Sequence, residues 1–169
     1  MKTTANYLVI TLLLLFSIGC NEPETPEVLE TQNLTAYNDF QQAQKEVMET
    51  WEAIVQSVKQ GDLDKLISFH DYSPKFTEFK NGELRNGGEE NEAFERGVFG
   101  SVTEVVKLEA QDIQIAVYYG NVANMTFHSN FHLKFGDELV IVREQTSLLF
   151  VKTKGEWKIV HEHHSPLNQ

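Results

Sequence analysis

The pattern of apolar residues changes character at Gly100. Before it, they recur at helical spacing. Phe40, Val47, Trp51, Ile54 and Val58 fall on one stripe, which predicts a long helix over about Tyr37 to Gln60. Gly61 is placed to end that helix, and Asp62 to cap a short second one that turns Leu63, Leu66 and Ile67 inward. Lys75 to Lys80 reads as a strand, Asn81-Gly82 as a tight turn, and Glu89 to Arg96 as a third, short helix. After Gly100, β-branched and aromatic residues take over. Strands are expected at Val102–Leu108, Asp112–Tyr119, Val122–Phe135, Glu138–Lys152 and Trp157–His164. Gly120-Asn121, Gly136-Asp137 and Lys154-Gly155 supply the turns. Helices first and an antiparallel meander after them is an α+β order. A strongly curved meander wrapped on one long helix makes a cone with an open end.

The N-terminus has a different logic. The long apolar run Tyr7 to Ile18 follows Lys2 and ends beside Cys20, the one cysteine of the chain. The run is too short for the roughly 20 residues that span a bilayer, so it reads as a removable signal. Ser17-Ile18-Gly19-Cys20 resembles the lipobox of bacterial lipoproteins, in which a peptidase cuts before a cysteine that carries a diacylglycerol. The resemblance implies lipidation at Cys20 and a bacterial cell-envelope location, on the periplasmic or the surface side. Residues 1–19 are then signal, and residues 20–36 are the lipidated cysteine and an acidic, Pro-containing disordered tether. Residues 37–166 are the folded domain. The partner so implied is a membrane, held through acyl chains that contribute roughly 0.8 kcal/mol per buried methylene.

Charge narrows the partners further. The chain carries 14 Lys and Arg against 25 Asp and Glu, a net charge of −11. Losing residues 1–19 removes Lys2 and no acid, so the excess of acids grows by one. Such a balance excludes nucleic acid as a partner and argues against charge-driven binding to anionic lipid. With one cysteine, no disulfide within the chain is open to the domain, and about 130 residues are enough for a core that stands without one.

The segment Gly155-Glu156-Trp157-Lys158-Ile159-Val160-His161-Glu162-His163-His164-Ser165 resembles the closing strand of SnoaL-like domains, of the NTF2-like superfamily. Gly61-Asp62-Leu63-Asp64-Lys65-Leu66 and Phe79-Lys80-Asn81-Gly82-Glu83 are similar to that family as well. The resemblance implies an NTF2-like cone: a long N-terminal helix and two short helices packed on a strongly curved antiparallel sheet. The superfold hosts isomerases, cyclases, dehydratases, binding proteins and assembly domains, so it does not choose an activity. The favoured reading is binding of a small apolar ligand in the cone, or assembly as a homodimer through the sheet. The alternative is a proton-transfer enzyme of isomerase, cyclase or dehydratase type.

Strand parity sorts the candidates. Met125, Phe127, Ser129 and Phe131 share the face that looks at the long helix, and His128, Asn130 and His132 point outward. In the last strand, Trp157, Ile159, His161 and His163 lie on one side and Val160, Glu162 and His164 on the other. Parity alone does not say which side faces in. The association domain of calcium/calmodulin-dependent protein kinase ends in a similar strand, and that likeness favours Glu162 and His164. Its cavity arginines fall at Ser129, Leu148 and His164 of this chain, none of them arginine. Glu162 and His164 are the catalytic candidates, because a buried carboxylate beside an imidazole can relay a proton. Trp51, Phe127 and Leu148 are candidate apolar pocket walls, and equally candidate core. His70 and Tyr72 stand at the expected mouth, where a solvated loop is the plainer alternative. Imidazoles of His128, His132, His161, His163 and His164 invite a metal reading, but an intervening strand separates the two groups, and no metal or cofactor is expected.

Overall fold

The computed structural model describes the backbone of residues 26–167 and the side chains of residues 40–167. The expected signal peptide and Cys20 lie outside the described residues. The first helix, α1 (Pro26–Gln60), begins well before Tyr37, so part of the segment expected as a disordered tether is helical. Proline's fixed φ suits a first helical position, and Glu27 and Glu30 lie where the helix dipole favours acids. Burial along α1 starts later, with Ala43, Val47, Trp51 and Ile54, while Phe40 of the predicted stripe stays exposed.

Gly61 ends α1 at φ +67°, a left-handed conformation that costs glycine little. Its N–H donates to the Val58 carbonyl at 3.1 Å and that of Asp62 to the Ser57 carbonyl at 3.0 Å, a Schellman pair. Asp62 then caps α2 (Leu63–Ser68) by accepting the Lys65 N–H, and Leu66 is buried. Next come β1 (Thr77–Lys80), β2 (Glu83–Asn86) and α3 (Gly88–Gly100). The β2 arm was not expected. Asn81 and Gly82, both at positive φ, fold it back onto β1.

The remaining strands are β3 (Glu104–Tyr118), β4 (Val122–Phe135), β5 (Glu138–Thr153) and β6 (Glu156–Pro166). The two strands expected before Tyr119 are one. Asp112, at φ +55°, makes a bulge between Gln111 and Gln114 and does not break the ladder. The sheet order is β2-β1-β6-β5-β4-β3. β3 to β6 form the antiparallel meander, but β1 joins β6 in parallel, which makes that end of the sheet mixed. The α1 stripe packs on Ala123, Met125, Phe127, Leu148, Phe150 and Ile159, with the Trp51 and Phe127 rings 4.7 Å apart. No described helix is long and apolar enough to cross a membrane.

Candidate functional site

A cavity of about 130 Å³ lies between α1, α3 and the concave sheet. Trp51, Phe127, Phe131 and Leu148 line one side of it. Charged side chains line the other.

The register of β6 explains how they get there. Phe150 pairs with Ile159 and Leu149 with His161, so Val160 has no partner. This bulge reverses the parity of the strand. Trp157 and Ile159 face in before it, and Glu162 and His164 face in after it. Both sides of the strand parity are therefore correct, each for one half of the strand. Parallel pairing then sets Glu78 beside Glu162 and Lys80 beside His164. From the other flank, Leu148 pairs with Glu162 and Thr146 with His164. Two residues further along β5, Glu144 also reaches the cavity.

Glu162 accepts two imidazoles. His70 Nε2 approaches its Oε1 at 2.9 Å, and His164 Nε2 approaches its Oε2 at 3.0 Å. The other nitrogens also face acceptors. His70 Nδ1 lies 3.1 Å from the Leu66 carbonyl, and His164 Nδ1 lies 3.4 Å from Glu144 Oε2. A carbonyl and an ionised carboxylate can only accept, so the His70 ring takes both of its N–H protons. At His164 Nδ1 the Thr146 hydroxyl also lies within 3.5 Å, and the charged form of that ring rests on its two flanking carboxylates. The electrostatics agree. Burial opposes the charge of His164, but hydrogen bonds to Glu144 and Glu162 raise its pKa to about 9. Burial opposes the charge of His70 too, and Glu162 nevertheless keeps its pKa above the ordinary value. Burial also works against ionised Glu162 and Glu144. The His164 and His70 contacts hold Glu162 well below the usual carboxylate range, and His164 and Lys80 hold Glu144 below it.

Glu95 of α3 behaves oppositely. It lines the cavity, yet among the described residues it has no side-chain hydrogen bond or ion pair. Burial of its carboxyl, and the nearby charge of Glu162, raise its pKa to about 7. Two carboxylates in one cavity, shifted in opposite directions, are the usual mark of a divided acid–base assignment. The raised carboxylate that the sequence suggested at Glu162 is thus Glu95.

The other candidates settle as follows. His70, read as loop or mouth, is buried, pairs with Glu162 and lines the cavity. Tyr72 stacks flat on it, with centroids 4.8 Å apart, and does not line the cavity. Ser129 is buried but spends its hydroxyl on the Glu144 backbone, accepting the N–H at 3.0 Å. The outer histidines do not converge. His128 faces Asp112, His132 faces Asn130 and His161 faces Thr77. A different trio, Glu78, Glu162 and His164, brings one donor each within 4.8 Å. Arg85 already pairs with Glu78, and both imidazoles with Glu162, so protonated groups hold the places a metal would take. Glu95, Glu144, Glu78 and Lys80 were missed. Glu144 shares parity with the candidate Leu148 and so carried a signal, whereas Glu95 on its short polar helix carried none. The parallel seating of Glu78 and Lys80 carried none.

A profile of the SnoaL-like domain matches residues 47–169. The chain belongs to the SnoaL-like family. Solved structures agree with the fold. A candidate dehydratase of the NTF2-like family from Streptomyces avermitilis superposes with a TM-score of 0.66 at 19% identity, over 75% of this chain and 96% of that one. A candidate aromatic ring hydroxylase from Novosphingobium aromaticivorans gives 0.64 at 15% identity, over 76% and 91%. A candidate calcium/calmodulin-dependent protein kinase II association domain from Xanthomonas campestris gives 0.61 at 16%, over 73% and 87%. At these identities the likeness is one of fold. No curated protein matches the chain. The SnoaL-like domain here is thus a cone whose cavity is apolar on one side and carries a His70–Glu162–His164 bridge and an unpartnered Glu95 on the other.

Proposed function

We propose that the cone binds a small molecule and that Glu95 exchanges a proton with it. The carrying observation is the unpartnered Glu95 carboxyl facing a bridge whose every proton is already engaged. A group with a pKa near the working pH is the efficient proton carrier. Glu162 and His164, the pair the sequence singles out, act as a fixed electrostatic wall. The ligand is small, since about 130 Å³ is well under the 300 Å³ and more of drug-sized sites. It is close to the roughly 150 Å³ of an apolar cavity that accepts benzene. The test is mass spectrometry of compounds that co-purify with the intact chain, wild type against Glu95→Gln and Glu162→Gln. A bound species retained by wild type and lost or altered in a variant supports the reading. A cone that never retains any compound sinks it.

This domain is proposed to work in the bacterial envelope, anchored through Cys20, as the lipobox resemblance suggests. Cys20→Ser is then expected to move the protein from the membrane fraction to the soluble one; persistence in the membrane fraction would refute lipidation. Homodimerisation through the sheet is supported by Leu139 and Ile141, about half exposed on the outer face. Ile141→Arg is expected to yield monomers in analytical ultracentrifugation, and a wild type that is itself monomeric would exclude it.

A further inference from the structure

The charges around the cavity do not cancel until Glu95 is counted. Arg85 of β2 pairs with Glu78 of β1, and these two cancel. His164 of β6, His70 after α2 and Lys80 of β1 then stand against Glu162 of β6 and Glu144 of β5. That is three cations against two carboxylates, with one positive charge left over. Glu95 of α3 faces this excess, and α1 and β4 add the uncharged Trp51 and Phe127. One negative charge therefore completes the site, and either Glu95 or a ligand can supply it. Two negative charges would overfill a cavity with little water to screen them.

We propose that the cavity takes a small monoanion, a carboxylate on an apolar ring or short chain, and that Glu95 takes up a proton as it binds. The apolar body lies against Trp51, Phe127 and Leu148, and the ligand carboxylate meets the cationic excess near Lys80 and His164. The neutral Glu95 carboxyl can then donate a hydrogen bond to the ligand, which the ionised form cannot. One proton enters from solvent, and the cavity keeps the same net charge before and after. The inference rests on the small-molecule reading above and sharpens it, because Glu95 would then enter any chemistry as a proton donor.

Three probes of one shape separate the possibilities: benzoate, benzyl alcohol and benzylamine. Calorimetry of the intact chain in buffers of different ionisation heat, from pH 5.5 to 8.5, counts protons. Benzoate is expected to bind most tightly at the acid end of that range. Above about pH 7 its binding should take up close to one proton and weaken about tenfold per pH unit. Glu95→Gln, an uncharged isostere on a partly exposed helix, should bind benzoate with little pH dependence until His164 begins to lose its proton below about 9. Loss of all probe binding in that variant would reflect misfolding, so Glu95→Asp, which keeps the carboxyl, is run beside it and should retain the proton uptake. Benzylamine or benzyl alcohol binding as tightly as benzoate, or benzoate binding without proton uptake, overturns the monoanion and leaves small-molecule binding standing. No binding by any probe, with wild type as with Leu148→Trp, which fills the cavity, overturns both.

Discussion

Glu162 is the residue on which the site depends, although it is not the proton carrier. It accepts from two imidazoliums, His70 and His164, and is itself buried. A glutamine there has one acceptor oxygen, and its NH₂ would face the other imidazolium. Breaking a buried ion pair from one side costs about 3 kcal/mol. Glu162→Gln is therefore expected to lose about that much stability in urea unfolding at pH 7, and a loss under about 1 kcal/mol would show the bridge to be solvated. The residues legible from sequence were those whose role follows from position alone. Trp51, Phe127 and Leu148 face the cavity because helical and strand periods say so. Glu162 and His164 needed the resemblance, because the bulge at Val160 makes simple alternation inconsistent along β6. Glu95 is not legible in this way, because a glutamate on a short polar helix reads as solvated until the opposing wall is known.

At the scale of elements, α3 carries Glu95 and its seating decides whether the cavity closes. Its first residue, Gly88, donates its N–H to the Ser73 carbonyl at 2.9 Å. A Cβ there would lie 1.8 Å from the Tyr72 carbonyl oxygen. That contact involves backbone, so α3 or the Tyr72 segment must move. Gly97 in the same helix has open space around its missing Cβ. The same substitution should thus act in opposite directions. Gly88→Ala is expected to cost more than about 2 kcal/mol and to disturb the near-ultraviolet signal of the Tyr72 ring. Gly97→Ala should gain about 0.5 to 1 kcal/mol. Equal effects at the two sites in chemical denaturation would mean that α3 is not docked as described. The sequence placed this helix but not β2, whose Glu83 to Asn86 is a short run with only one apolar residue. The hairpin became visible only through the left-handed pair Asn81-Gly82. The parallel pairing of β1 with β6 joins residues some eighty positions apart, so no local pattern announces it.

For the whole molecule, the buried groups set a window of pH in which the fold is strongest. Glu162 and Glu144 have lowered pKa values, so their contribution is present above the unfolded carboxylate value and is lost as pH falls through the folded values. Glu95, raised to about 7, contributes in full below the unfolded value and loses its contribution as pH rises through 7. His164, raised to about 9, contributes in full below the ordinary imidazole value of about 6.5, and that contribution is lost as pH rises through 9. The four signs together place the maximum near the unfolded carboxylate value of about 4.5. The decline on the alkaline side comes in two stages, the first running from the unfolded carboxylate value to about 7 and the second from the ordinary imidazole value to about 9. Thermal melts of the intact chain at constant ionic strength resolve both. Glu95→Gln should remove the first stage and leave the second, because a neutral amide has nothing to ionise. A melting temperature that stays level from pH 6 to 9 would mean that neither Glu95 nor His164 is buried in the folded cone. A decline that survives Glu95→Gln unchanged would assign the first stage to another group and detach Glu95 from the cavity.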